Sequence, residues 1–116
     1  MLGRLTRRAE FVRAAKSGRK AARDSLVLQA LARDDGQTRL GFTATKKIGN
    51  AVARNRSKRR LRAAARLHFG AAPQPGWDFV LIARDATRHC PFPALMADIE
   101  GALRKIGVAG AAVKLP

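Results

Sequence analysis

Thr45-Lys46-Lys47-Ile48-Gly49-Asn50-Ala51-Val52-Ala53-Arg54-Asn55-Arg56-Ser57-Lys58-Arg59-Arg60-Leu61-Arg62-Ala63-Ala64-Ala65-Arg66 carries nine lysines and arginines and no Asp or Glu. A solvated helix ordinarily mixes the two signs, so an unbroken block of one sign implies a partner that supplies negative charge. Nucleic acid backbone is the obvious supplier. Gly49 suits a tight turn, and Asn50 suits the position whose side chain caps the first free N–H groups of a helix. Nothing breaks that helix until about Phe69. At about 100° per residue, Ser57, Leu61, Ala64, Ala65 and His68 fall on one stripe, which should pack inward. Lys58, Arg59, Arg62 and Arg66 gather on one side of the stripe, and Arg56 and Arg60 lie on the other. The helix has a narrow seam between two basic flanks.

Upstream, Arg39 to Thr45 alternates, with Leu40, Phe42 and Ala44 facing one way and Gly41, Thr43 and Thr45 the other. Ser25 to Ala32 reads as a second strand, and Asp34-Asp35-Gly36 as a turn. The two strands are expected to pair as an antiparallel hairpin with Arg33 and Arg39 flanking the acids. Arg19 to Arg23 offers a weaker strand. Leu5 to Lys16 reads as a short helix that starts at Thr6 or Arg7, places Phe11, Ala14 and Ala15 on one face and ends before Gly18.

Downstream, Gly70 to Gly76 is a loop by composition. Trp77 to Arg84 is the most apolar strand and should be an inner one. Pro91 and Pro93 open a last helix to about Ile106, in which Phe92, Leu95, Met96, Ile99, Leu103 and Ile106 recur at helical spacing. Residues 107–116 are weakly patterned and expected to be a flexible tail. The order α-β-β-β-α-β-α gives an α/β (α+β) two-layer sandwich: a mixed sheet of about four strands with helices on it, in one domain spanning 1–116.

A chain of 116 residues supports one modest core. Its 24 Lys and Arg against 8 Asp and Glu leave +16 at pH 7, which points to a polyanionic partner and says little about fold. Arginine outnumbers lysine 17 to 7, and arginine suits bidentate phosphate contacts. No apolar run approaches a membrane span, the first ten residues are too charged for a signal peptide, and the single Cys90 forbids an internal disulfide. A cytoplasmic location is expected.

Hydrolysing a phosphodiester with protein groups usually takes converging carboxylates that hold metal ions. Asp78 and Asp85 bracket one strand, about 23 Å apart at about 3.3 Å per residue. Asp34 and Asp35 serve their turn. His68 lies on the inward stripe, and His89-Cys90 lacks a second ligand pair at metal spacing. No catalytic residue and no metal ligand is therefore assigned. Trp77 and Phe79 read as core, whereas Phe11 can either pack or stack on a base. Gln29 and Thr43 point outward from their strands, where RNA could touch them.

Phe42-Thr43-Ala44-Thr45-Lys46-Lys47-Ile48-Gly49-Asn50-Ala51-Val52-Ala53-Arg54-Asn55-Arg56-Ser57-Lys58-Arg59-Arg60-Leu61-Arg62 resembles the signature of the bacterial ribonuclease P protein subunit: a strand, Lys-Lys, Gly-Asn-Ala-Val, Arg-Asn-Arg and Lys-Arg. Leu5, Phe11, Gly18 and the strand at Phe79 extend the resemblance over nearly the whole chain. It implies a left-handed crossover from the Phe42 strand through the basic helix to the Phe79 strand, against the usual hand. It also implies a non-catalytic subunit, whose RNA partner performs the metal-dependent removal of the 5′ leader from precursor tRNA. Magnesium is expected for the holoenzyme and no cofactor for the protein itself.

The implied RNA-contacting set is Lys46, Lys47, Arg54, Asn55, Arg56, Lys58, Arg59, Arg62 and Arg66, and the implied leader cleft holds Phe11, Gln29 and Thr43. Ala15 and Gln29 stand where the family often has aromatics, so charge and hydrogen bonds should carry more of the leader contact. The expected partners are ribonuclease P RNA and precursor tRNA, with neither membrane nor DNA. The alternative is a general basic nucleic-acid-binding protein, ribosomal or DNA-packaging, with no ribozyme.

Overall fold

The computed structural model describes residues 2–71 and 73–108. In chain order the elements are β1 (Leu2–Arg4), α1 (Arg8–Ser17), β2 (Arg19–Ala22), β3 (Leu26–Ala32), β4 (Thr38–Thr43), α2 (Ala51–Ala71), β5 (Trp77–Ala83) and α3 (Phe92–Ile106), with 3₁₀ turns at Lys46–Ile48 and Asp85–Arg88. The strands form one mixed sheet in the order β1-β4-β5-β3-β2.

The expected hairpin is not formed. β5 lies between β3 and β4, antiparallel to the first (Leu28 beside Leu81) and parallel to the second (Phe42 beside Leu81). The connection from Arg33 to Gln37 straddles the start of β5: Arg33 donates its backbone N–H to Gly76 O at 2.7 Å, and Gly76 donates its own to Gln37 O at 3.2 Å. Alternation in two neighbouring strands does not reveal whether a third enters between them. The run Phe79-Val80-Leu81 is buried on both faces and takes the centre because only there is it covered twice. β1 is the strand the sequence did not announce, three residues parallel to the edge of β4 (Leu2 beside Thr38, Arg4 beside Leu40). It makes the strands five instead of about four.

Successive side chains of β5 face opposite sides. Phe79 and Leu81 join Leu26, Leu28, Ala30 and Leu40 in the main core under α2 and α3, whereas Val80 packs with Leu5, Ala14 and Phe11 on the α1 side. The two-layer expectation thus needs a correction: α1 forms a partial third layer, because its Phe11 and Ala14 bury against the face that α2 and α3 leave open. The inward stripe of α2 is fully buried at Ser57, Leu61, Ala64 and Ala65 and nearly so at His68. Phe69 follows it and stacks on Phe79 at 4.8 Å between centroids, and Phe79 in turn stacks with Trp77 at 5.9 Å.

The chain is packed further than expected at its other end. Gly107 takes a left-handed conformation (φ 90°), the usual way to stop a helix, and Val108 is buried with its N–H on Leu103 O at 3.1 Å. The expected tail therefore loses Gly107 and Val108 to the domain, and its remainder, 109–116, lies outside the described residues.

Candidate nucleic-acid interface

The turn before α2 sets out the first two cations. Ile48 is buried and anchors the turn, while Lys46 and Lys47 are exposed beside it. Gly49 has φ 136°, which side-chain-bearing residues rarely adopt, and it delivers Asn50 to the cap position. There Asn50 Oδ1 accepts the N–H of Ala53 at 2.9 Å.

The cations of α2 divide by what holds them. Arg54 folds back, its Nη1 donating to Gly49 O at 2.8 Å. Arg60 donates to Thr87 O and Cys90 O, both at 2.7 Å, and so ties α2 to the turn before α3. The Arg62 guanidinium lies over the Phe42 ring at 5.4 Å, a cation–π contact. Asn55, Arg56, Arg59 and Arg66 are exposed, and Lys58 is half-buried. Asn55, Lys58, Arg59 and Arg62 surround an open depression of about 470 Å³ together with Val52.

Val52 is a residue the sequence reading passed over. It is 74% exposed although apolar. The available signal was its position off the inward stripe, where an aliphatic side chain has no core to enter.

Among the described residues, the arginines in ion pairs are Arg23, Arg33, Arg39, Arg88 and Arg104. None belongs to the stretch from Lys46 to Arg66. Among the described residues no carboxylate neutralises these nine cations, which face solvent, backbone carbonyls or, for Arg62, the Phe42 ring.

On the opposite face of the sheet, Phe11 lies where a side chain on Gly41 would be. Its Cε1 and Cζ are 2.7 and 2.8 Å from the position a Cβ on Gly41 would take. Phe11 is half-buried, so it packs on the sheet with one side open. Gln29 and Thr43 stand on the same face, in register with Val80 and Ile82. The expectation that Gln29 is outward needs adjusting: it is only 9% exposed, between Lys20 of β2 and Val80, whereas Thr43 is half-buried. Ala15, one turn after Phe11, is exposed.

An ion network holds α1 there. Glu10 accepts the N–H groups of Thr6 (3.1 Å) and Arg7 (2.9 Å) and also pairs with Arg39. Arg39 grips Asp78 with Nε at 2.9 Å and Nη2 at 2.8 Å, and Arg33 approaches the same carboxylate at 3.2 Å. The backbone N–H groups of Arg7 and Thr6, then Arg39, lower the Glu10 pKa to about 2. Arg33 does the same to Asp35, also to about 2. The carboxylates Glu10, Asp35, Asp78 and Asp98 are thus engaged by arginines and local donors. No three His, Cys, Asp or Glu among the described residues converge as metal ligands.

His68 is a packed histidine. It is 2% exposed, its ring meets Phe69 edge-on at 5.1 Å, burial pushes its pKa down, and Nε2 has no hydrogen-bond partner. No helix among the described residues is long and apolar enough to cross a membrane.

A family model described as Ribonuclease P matches residues 2–107. The chain belongs to the ribonuclease P protein family. A ribonuclease P protein component from Gluconacetobacter diazotrophicus is 55% identical over 93% of this chain and 94% of its own. One from Ruegeria pomeroyi is 50% identical over 88% and 84%. Among solved structures, the ribonuclease P protein of Staphylococcus aureus superposes with a TM-score of 0.73 at 28% identity, covering 90% of this chain and 95% of that one. That of Thermotoga maritima gives 0.70 at 28%, covering 81% and 88%. The α/β fold with three helices and a five-stranded mixed sheet is the fold of these ribonuclease P proteins. Membership makes the chain a protein subunit of an endoribonuclease holoenzyme of tRNA processing and implies association with ribonuclease P RNA.

Proposed function

We propose that this subunit holds ribonuclease P RNA along the solvent-facing side of α2 and the 5′ leader of precursor tRNA across the α1 face of the sheet. The observation that carries this reading is the block from Lys46 to Arg66, nine cations with no carboxylate partner among the described residues. Cations that the fold leaves unpaired are available to phosphates, and each phosphate they neutralise releases counterions. Lys46, Lys47, Asn55, Arg56, Lys58, Arg59, Arg62 and Arg66 contact RNA directly. Arg54 and Arg60, tied to backbone carbonyls, set the surface those residues present.

The leader lies over Phe11 and Thr43, with Gln29 at the floor. Phe11 offers one open ring face, and its seat on Gly41 keeps that face still. With Ala15 beside it there is no second ring, so the leader is held by one stacking contact plus charge. Magnesium belongs to the RNA subunit, and so does the chemistry: six of the eight acids, all but Asp24 and Asp34, pair with the protein's own arginines. The holoenzyme works in the cytoplasm and its partners are the catalytic RNA and precursor tRNA, not DNA.

The test is cleavage of a 5′-leader-bearing precursor tRNA at low magnesium by a bacterial ribonuclease P RNA alone, by this protein alone and by both. Cleavage only in the mixture is expected. No gain over RNA alone would sink the proposal, and cleavage by the protein alone would return the chemistry to the protein.

A further inference from the structure

A smaller depression, of about 130 Å³, lies on the α2 face at the β1 edge of the sheet. Its floor is apolar, made by Leu2 of β1 and by Leu40 and Phe42 of β4. Its rim is cationic, made by Arg4, Arg62 and Arg66. Among the described residues, none of these three arginines is in an ion pair. Arg62 and Arg66 are one helical turn apart and share a row. Arg62 is held against the Phe42 ring, and it also walls the larger depression beside Asn55 and Arg59.

The two halves of this lining ask for different chemistry in one ligand. An apolar floor with no acid takes a flat, uncharged ring, and an acid-free arginine rim takes an anion attached to that ring. A phosphate alone would leave the floor empty, and an acidic peptide would bring the anion without the flat ring. A stacked RNA helix would present backbone to α2 and keep its bases out. An unstacked nucleotide brings base and phosphate together, and base stacking on aromatic rings and guanidinium planes is how single-stranded RNA is commonly read.

We propose that this depression is a subsite for one unstacked RNA nucleotide, with its base on Leu2, Leu40 and Phe42 beside the Arg62 guanidinium and its phosphate between Arg4 and Arg66. The proposal rests on the RNA-binding reading of α2 and adds to it a base contact at one end of the phosphate track. It also gives β1 a purpose: this three-residue strand supplies the outer wall, and without it Leu40 and Phe42 would face water.

The probes are adenosine monophosphate, ribose 5-phosphate and a hexaglutamate peptide, each titrated into the whole protein while backbone amide signals are followed by NMR. Adenosine monophosphate should shift the signals of Leu2, Gly3 and Phe42 saturably, and at least about fivefold more tightly than ribose 5-phosphate, given the worth of base stacking. Leu2→Gln, an uncharged change at a half-buried position packed against the main core, should remove that shift and lower the melting temperature only modestly. In the holoenzyme it should weaken RNA affinity without altering the salt slope, whereas Arg66→Gln should reduce the slope by about one.

Equal binding of ribose 5-phosphate would overturn the base contact and leave a phosphate site. Equal shifts from hexaglutamate would assign the depression to an acidic protein partner instead. No shift at these residues, or a Leu2→Gln protein that binds as before, would remove the subsite while leaving the cleavage test of the subunit reading untouched.

Discussion

Gly41 is the residue on which the α1 face of the sheet turns. A Cβ there would come within 2.8 Å of two Phe11 ring atoms and 3.0 Å of Leu5 Cδ1, so Gly41→Ala must push the ring off the sheet. We expect a loss of about 1–3 kcal/mol in denaturant unfolding, the usual cost of overpacking, together with weaker holoenzyme binding of leader-bearing precursor. Unchanged stability and unchanged precursor affinity would mean that Phe11 does not depend on this seat. His68 makes a second residue-scale case. Burial depresses its pKa below the ordinary 6.5, so the unfolded chain binds a proton that the folded chain refuses. Its contribution is fully present above pH 6.5 and is lost as pH falls toward the depressed value. His68→Leu should flatten the stability curve in that window, measured by urea unfolding at a series of pH values; an identical slope would place the titration elsewhere. Glu10 and Asp35 act lower and with the same sign. Their folded pKa values near 2 mean that the ties to Arg39 and Arg33 persist at neutral pH and are lost as pH falls toward about 2.

α2 carries two kinds of arginine that its sequence does not distinguish. Arg60 satisfies two carbonyls, on Thr87 and Cys90, whereas Arg59 is exposed with no ion-pair partner among the described residues. Arg60→Ala should therefore cost stability, about 1.5–3 kcal/mol for hydrogen bonds from a charged donor, and Arg59→Ala almost none. Arg59→Ala should instead weaken RNA binding and lower the salt slope by about one. Melting curves and salt titrations of both variants would settle the division, and a destabilised Arg59→Ala protein would contradict it. The reach of the sequence at this scale follows from how local each signal is. The seam from Ser57 to His68, the Asn50 cap and the Pro91 start of α3 are written in spacing and local chemistry, and each lies where expected. The place of β5 between β3 and β4 is a long-range choice, decided by which strand gains most from two covered faces, and no local pattern in Ser25 to Thr45 encodes it. β1 was illegible for another reason: Leu2-Gly3-Arg4 is too short for a period. In the RNA set the residue types were legible and their tethering was not, because the partners of Arg54, Arg60 and Arg62 depend on a turn, the approach to α3 and the sheet. Gln29 was misread because alternation gives the face of a strand residue and not how much neighbouring Lys20 and Val80 cover it.

Across the whole molecule the charge is segregated. The acids Glu10, Asp35, Asp78, Asp85, Asp98 and Glu100 pair with arginines outside the stretch from Lys46 to Arg66, so the +16 of the chain is least compensated along α2. Such a surface repels itself when no anion is present, and that repulsion is a standing cost to the folded state. An anion that binds the folded surface and not the unfolded chain stabilises it according to its concentration relative to its dissociation constant. Sulfate should therefore raise the melting temperature more than sodium chloride at equal ionic strength, because general screening is then matched and only site binding differs. Part of the rise should come from sulfate's general exclusion from protein surface, which acts on any protein. The discriminating sample is a protein carrying Arg59→Gln and Arg66→Gln, both exposed and outside the core. If α2 collects the anions, this variant should start with a melting temperature equal to or above the parent's and gain less from sulfate. An equal gain in both proteins would leave only the exclusion effect, and the cost of crowding nine cations onto one turn and one helix would have to be met by some other part of the fold.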